Sequence, residues 1–308
     1  MLTGRCIQRS RDWSCHMKYV VEQNLSMWIH YSQYEIRNHQ GIEYIIPTRD
    51  AYPRPYNIQK KKEKLVLDAV NVGLLVLGKK SEQVIREAVL QFVEKYGLLG
   101  MMTALPVTPD FIEFPQTYFP KNRFIREKGL MTEEYMKKFF PFHDVEMVKK
   151  NLEPNWEDPD HTAFWSLLNG ISDQPDAVRM SLQKEYAEPY EWVVTQLKDW
   201  AYMLSTTYLY YADGVVTDLE MNLALQMGME AFGGVAPSYI ILLREKPTLW
   251  WHFNSLQQCI HMMLAFMLAD EKNPLRLCQY CHKAFVMTEE DSWFCKSDCK
   301  RKVENKSQ

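Results

Sequence analysis

The sequence predicts a mainly α, α+β protein: a helical body that carries small β-hairpins and ends in a compact cysteine-rich module. Three observations carry this. Apolar residues recur at helical spacing over long stretches, most plainly at Val84, Ile85, Ala88, Val89, Phe92, Val93 and Tyr96. Two pairs of short strand-forming runs are each interrupted by a polar turn. Four of the seven cysteines fall between Leu277 and Lys302, in the spacing C-x2-C-x13-C-x3-C.

Taken in order, residues 25 to 47 read as a hairpin turning at Asn38-His39-Gln40-Gly41, after which Pro47, Pro53 and Pro55 break the strand pattern. The run Lys60, Lys61, Lys62 and Lys64 reads as a solvated helix start or loop, with a phosphate contact as the alternative. An apolar helix follows from Leu65 to Leu77. Ser81 is placed to cap a second helix, which Gly97 ends, and the two helices should pack as a pair. Residues 101 to 125, with four prolines among aromatics, read as an irregular connection, and Thr132-Glu133-Glu134 opens a short helix.

Beyond the polar stretch Glu153 to His161, Pro189 sits in the first turn of a long helix running towards Asp213. Its inward face should hold Val193, Val194, Leu197, Trp200, Ala201, Leu204 and Tyr208. Thr217 and Glu220 form a capping-box pattern for the next helix, which stops at Gly233-Gly234. Tyr239 to Leu243 and Thr248 to Phe253 read as a second hairpin. Ser255 with Gln258 then caps a methionine-rich helix to about Ala269. The expected division is 1–155, a hairpin plus helical region; 156–272, a helical domain with a hairpin; and 273–308, the cysteine module.

Composition narrows the class. Hydrophobic residues at 46% and charged residues at 24% are values of a soluble globular chain with a buried core, and the net charge of −3 offers no chain-wide basic field for nucleic acid. No apolar run approaches the roughly 18 residues of a membrane span, and the N-terminal stretch lacks the apolar core of a signal peptide. A cytoplasmic location is expected. There, paired cysteines read as metal or redox chemistry before they read as disulfides.

A Cys-x2-Cys knuckle presents two thiolates from one tight turn, and a second pair completes a tetrahedron with Zn–S distances of about 2.3 Å. A redox Cys-x-x-Cys carries no second pair, so Cys278, Cys281, Cys295 and Cys299 are read as ligands of one structural zinc ion. His282 is an alternative ligand in place of a cysteine. Cys6, Cys15 and Cys259 stand alone and read as inert thiols. Four thiolates leave no open coordination position, and no His pair, nucleophile elbow or phosphate-cradling glycine loop is present. Asp158-Pro159-Asp160-His161 and Phe142-His143-Asp144 read as turn or capping groups. The protein is therefore expected to be non-enzymatic.

The order strand, turn, strand, methionine-rich helix, Leu275-Arg276-Leu277-Cys278, Cys-x2-Cys, Phe285, then Trp293-Phe294-Cys295-x3-Cys299 and basic residues resembles the C-terminal part of the CGNR zinc-finger (ABATE-type) proteins over about residues 239 to 303. That resemblance implies a bacterial protein of a group labelled as transcription regulators. The family signature Cys-Gly-Asn-Arg is Cys299-Lys300-Arg301-Lys302 here, so only the four cysteines carry over residue by residue. The cysteine pattern also looks like a treble-clef finger, whose second ligand pair lies on one face of a short helix. Phe285, Trp293 and Phe294 would form the small core around the metal, with base stacking as the alternative role.

Two functions follow as expectations. One is nucleic-acid binding, to DNA or RNA, through a basic patch of Lys296, Lys300, Arg301 and Lys302 extended by Lys283 and Arg276, opposed by Glu289, Glu290 and Asp291. Such a protein would be a regulator or a subunit of a nucleic-acid-handling complex. The other is a protein-interaction or assembly role in which zinc only staples a small module.

Overall fold

The computed structural model describes residues 22–23, 27–108, 110–153, 157, 174–211, 219–230, 238–243, 245, 247–270, 274–287 and 292–305. Near the N-terminus lie strands β1 (Glu22–Gln23), β2 (Met27–Tyr31), β3 (Tyr34–His39), β4 (Ile42–Pro47) and β5 (Pro53–Asn57). β3 and β4 form the expected hairpin. Its turn narrows to Gln40 and Gly41, both at positive φ (51° and 83°), while Asn38 Oδ1 accepts a hydrogen bond from the Gly41 amide at 3.1 Å.

The prolines after β4 do not end the strand pattern. Pro53 and Pro55 lie inside β5, which pairs antiparallel with β2 in a two-stranded sheet. Proline is tolerated there because, among the described residues, β5 has a partner strand on one side only, and a missing N–H costs nothing where it points away from that partner.

Helices α1 (Lys62–Leu77) and α2 (Glu82–Tyr96) follow. Lys60 to Lys64 are exposed at the start of α1, as a solvated helix end should be. In α2 the buried stripe is Ile85, Val89, Phe92, Val93 and Tyr96, while Val84 is exposed. Ser81 stands at the N-cap but makes no side-chain cap hydrogen bond; it is exposed, so water can serve the first-turn amides. Gly97 leaves the helix at φ 86°, where an added Cβ would come within 2.5 Å of the Ile29 carbonyl oxygen.

A connecting region holds α3 (Met101–Ala104), β6 (Gln116–Tyr118), β7 (Gly129–Met131), α4 (Thr132–Lys137), α5 (Val145–Lys150) and α6 (Asp176–Met180). Asp144 caps α5, accepting from the Glu146 amide at 3.0 Å, which is the capping role expected of it. β8 (Glu188–Pro189) pairs with β4 and leads into α7 (Tyr190–Tyr211). Five of the residues expected to face inward on α7, Val193, Leu197, Trp200, Ala201 and Leu204, are buried; Val194 and Tyr208 are half-buried. α7 packs along α1 at Gly73. A Cβ there would lie 2.0 Å from the Leu197 carbonyl oxygen, so only glycine permits this approach.

The last part contains α8 (Leu219–Glu230), the hairpin β9 (Ser238–Leu243) and β10 (Pro247–His252), with β1 added parallel to β10, and α9 (Leu256–Leu268). Ser255 caps α9 as expected, accepting from the Gln258 amide at 3.1 Å, and Gln258 Oε1 reaches back to the Asn254 amide at 2.9 Å. Asp213-Gly214, Thr217, Asp218, Gly233-Gly234 and Asp158 to His161 lie outside the described residues.

One cluster of buried apolar side chains has members from Trp28 to Ala284. Its polar centre is Glu188, wholly buried, which accepts from the Leu99 and Met101 amides and from the Tyr186 hydroxyl at 2.7 to 2.9 Å. The same Leu98–Met101 turn takes a hydrogen bond from Trp28 Nε1 at the Leu98 carbonyl and from the Gln257 amide at the Leu99 carbonyl. Sheet, helix pair and α9 thus meet at one loop. The stretch Glu153 to His161, expected as a domain boundary, lies outside the described residues except at 153 and 157. None of the described helices is long and apolar enough to cross a membrane.

Candidate metal centre

The cysteine module is built on two short strands, β11 (Leu275–Leu277) and β12 (Ala284–Val286), paired antiparallel with Leu277 opposite Ala284. Between them the chain makes a knuckle. The Cys278 amide donates to the Lys283 carbonyl at 2.9 Å, and the His282 amide donates to the Cys278 carbonyl at 2.8 Å. Closing so tight a turn forces His282 into the left-handed region, at φ 57°.

The second cysteine pair arrives from the other side. The Trp293 carbonyl accepts from the Gln279 amide at 3.0 Å, which ties the incoming segment to the knuckle. Helix α10 (Ser297–Glu304) begins just after. Cys295 therefore precedes the helix and Cys299 lies in its first turn; the two do not share a helix face, as their i, i+4 spacing suggested.

The four Sγ atoms of Cys278, Cys281, Cys295 and Cys299 all lie within 4.8 Å of one another. Cys281 and Cys295 are 3.5 Å apart, and Cys295 and Cys299 are 3.8 Å apart. Sulfurs at the corners of a tetrahedron with metal–sulfur bonds of about 2.3 Å stand roughly 3.8 Å apart, whereas a disulfide brings them to about 2.05 Å. All four are free thiols. The spacing fits ligands around a shared ion, and the cluster could hold one metal ion. His282 is exposed and contributes none of the four ligand atoms. Cys259 is buried away from the cluster, in α9.

The electrostatics fit the same use. Burial pushes the Cys278 thiol up, but N–H groups of Cys281, Cys295 and Tyr280 that hydrogen-bond to it outweigh burial and hold it down at about 6. Burial and then the neighbouring thiols push Cys295 up, and burial is also the first cause of the rise at Cys299. A cation among the four sulfurs would favour their ionised forms, which metal binding requires.

What fixes the module to the body is a residue that sequence reasoning missed. Asn71, half-buried on α1, receives the Ala284 amide on Oδ1 at 2.7 Å and donates from Nδ2 to the Ala284 carbonyl at 3.3 Å. Its amide takes the place of a third strand beside β12. The one available signal was that Asn71 is, with Asp68, one of two polar side chains in the otherwise apolar text from Leu65 to Leu77. Leu275 and Ala284 also belong to the main core, and Cys278 is fully buried. The module is therefore joined to the body by packing as well as by hydrogen bonds.

Lys283, Lys296, Lys300, Arg301 and Lys302 are exposed on this module, and Arg276 is half-buried in β11. Arg301 is engaged with Asp298, and Lys302 lies over the Tyr280 ring, 5.5 Å from its centre. Of the aromatics expected to form a core around the metal, Phe285 and Phe294 are half-buried. Trp293 is not; it is 40% exposed.

Comparisons with protein-family models, with curated proteins and with solved structures return no match for this chain.

Proposed function

We propose that this protein is a non-enzymatic nucleic-acid-binding protein, a bacterial regulator or a subunit of a nucleic-acid-handling complex, whose C-terminal module is a treble-clef-like finger held by one structural zinc ion. The observation that carries this reading is the gathering of five exposed basic side chains on the four-cysteine module of a chain whose net charge is −3. Zinc is the metal of choice for four thiolates in this spacing. A ligand set of four sulfurs is closed, so the ion's role is to hold the knuckle and α10 in register. The likeness of the cysteine pattern to CGNR fingers supports the same reading.

Metal content comes first: the purified chain should carry one zinc per molecule by elemental analysis, and Cys281→Ser or Cys299→Ser should lose it. Binding is then measured on a labelled oligonucleotide across a salt series. Affinity should fall as salt rises, because phosphate contacts release counterions. A variant with Lys300, Arg301 and Lys302 all changed to alanine should bind more weakly and with a shallower salt slope. Unchanged binding by that variant would sink the assignment of the patch.

One observation favours a second reading, a protein-interaction role. Among the described residues β9 is an edge strand with Tyr239, Ile240, Ile241 and Leu243 all exposed, and natural edges are normally blunted by charge or proline. Light scattering across a concentration series, with and without Ile241→Lys, tests it: association that this change abolishes supports a protein contact there.

A further inference from the structure

We propose that the four-cysteine module takes single-stranded rather than duplex nucleic acid, with the Trp293 indole as a stacking platform for a base. This rests on the nucleic-acid reading above and names its substrate class.

Trp293 is the exposed large aromatic of the module, at 40%, and it is not loosely presented. Its own carbonyl is held by the Gln279 amide, the Ser292 hydroxyl donates to the Phe294 carbonyl at 3.1 Å, and Cys295, two residues on, is in the metal cluster. An indole on so fixed a backbone loses little freedom when a base lies on it. Lys296 follows three residues later and is exposed, which places a cation for the phosphate of a stacked nucleotide on the same short segment.

The charge balance argues against a duplex. Residues 274–308 contain seven basic and five acidic side chains. Of the cations, Arg301 is engaged with Asp298 and Lys302 covers Tyr280. α10 is eight residues long and carries Asp298 and Glu304 as well as its three basic residues, a poor helix to lay against two phosphate strands. Non-specific duplex binding draws nearly all its affinity from phosphate neutralisation, and the Arg301 and Lys302 contacts leave three of the module's five exposed cations, Lys283, Lys296 and Lys300, to supply it. Single strands offer base faces as well, and base–aromatic stacking is sequence-tolerant. An exposed indole beside a modest basic patch is complementary to that combination of groups.

The test uses the full metal-loaded chain and fluorescence anisotropy with three probes: a mixed-sequence 12-nucleotide DNA strand, the matching RNA strand, and the same sequence as a DNA duplex. We expect one or both single strands to bind more tightly than the duplex. Trp293→Ala should weaken single-strand binding roughly 5- to 150-fold, the range expected for loss of one stacked base, and leave duplex binding unchanged. Trp293→Phe, which keeps a ring, should stay within a few-fold of the parent. Metal content is measured on each variant. Should Trp293→Ala lose metal, Trp293→Leu replaces it, because that side chain keeps apolar bulk without a stacking plane. A preference for duplex, or single-strand binding indifferent to Trp293→Ala in a metal-loaded variant, overturns this inference and leaves the nucleic-acid reading standing. Failure of the metal-loaded parent to bind any probe removes both.

Discussion

Outside the cysteines, Asn71 supports the strand that leaves the knuckle and His282 takes its left-handed turn position. Removing the Asn71 amide leaves the Ala284 N–H and carbonyl, which it serves at 2.7 and 3.3 Å, without their partners at a packed junction. Unsatisfied groups of this kind cost about 1–3 kcal/mol. Asn71→Ala should therefore lower the melting temperature and speed metal transfer to a chromophoric chelator, since the strand that leads out of the knuckle loses its support. Transfer at the parent rate would mean that the module stands without the helix. His282 works in the other direction. At φ 57° a residue with a Cβ bears roughly 1–2 kcal/mol of strain that glycine does not. The imidazole is exposed and outside the ligand set, so His282→Gly should raise the melting temperature of the metal-loaded protein, read by calorimetry. The four cysteines were legible in the sequence because one turn and one short spacing bring them together. Asn71 was not, because its partner is 213 residues away and no local pattern joins them.

Gly73 decides whether the central pair of helices can meet. In a solvated helix, replacing glycine with alanine gains about 1 kcal/mol of propensity. Here the new Cβ would sit 2.0 Å from the Leu197 carbonyl oxygen, 2.6 Å from its carbon and 2.8 Å from the Ala201 Cβ. Two of these atoms are backbone, so no rotamer change relieves the clash and α1 and α7 must separate. Overpacking of this sort costs about 1–3 kcal/mol or more, so the sign is set by packing. Gly73→Ala should lower the midpoint of urea unfolding, and a rise would show that the helices tolerate separation. At this scale the long periodic helices were readable, since burial of Leu197, Trp200 and Leu204 follows their spacing along α7. Strand β5 was not, because Pro53 and Pro55 look like breakers until a one-sided sheet is known to hold them. The start of α10 was misplaced for a related reason: the i, i+4 spacing of Cys295 and Cys299 matches a helix face, yet the first turn begins between them.

Across the whole molecule, the fold class and the cysteine cluster follow from pattern and spacing, whereas the polar groups buried among distant elements do not. Glu188 is such a group, and the half-buried His30 and His261 sit beside the same core; all three have pKa values displaced by burial, which makes stability depend on pH. Burial is the first cause of a lowered pKa at both histidines; at His30 the Lys61 and Arg54 charges lower it further, against backbone hydrogen bonds that raise it. At His261 the Trp200 Nε1 donates to Nδ1 at 3.3 Å, so the folded state uses a bare ring nitrogen there. A histidine whose folded pKa lies below its unfolded value of about 6.5 binds a proton in the unfolded chain first. Its contribution is fully present above that value and is lost as pH falls through it towards the folded pKa. Glu188 has the opposite sign. Burial raises its pKa despite four hydrogen-bond donors, the Met101, Leu99 and Gly100 amides and the Tyr186 hydroxyl, so its contribution is lost as pH rises above the unfolded value of about 4.3. Acid also protonates the cysteine cluster, so the histidine effect is read as a difference between the parent and His261→Gln, in which the other groups cancel. Glutamine keeps an oxygen acceptor for Trp200 and cannot titrate. The melting temperature of the parent should fall between pH 7.5 and 5.5. The fall in His261→Gln should be smaller, by at most about 1.4 kcal/mol per pH unit in free energy. Parallel curves for the two proteins would show that His261 protonates as readily folded as unfolded, and that its hydrogen bond to Trp200 does not hold the ring neutral.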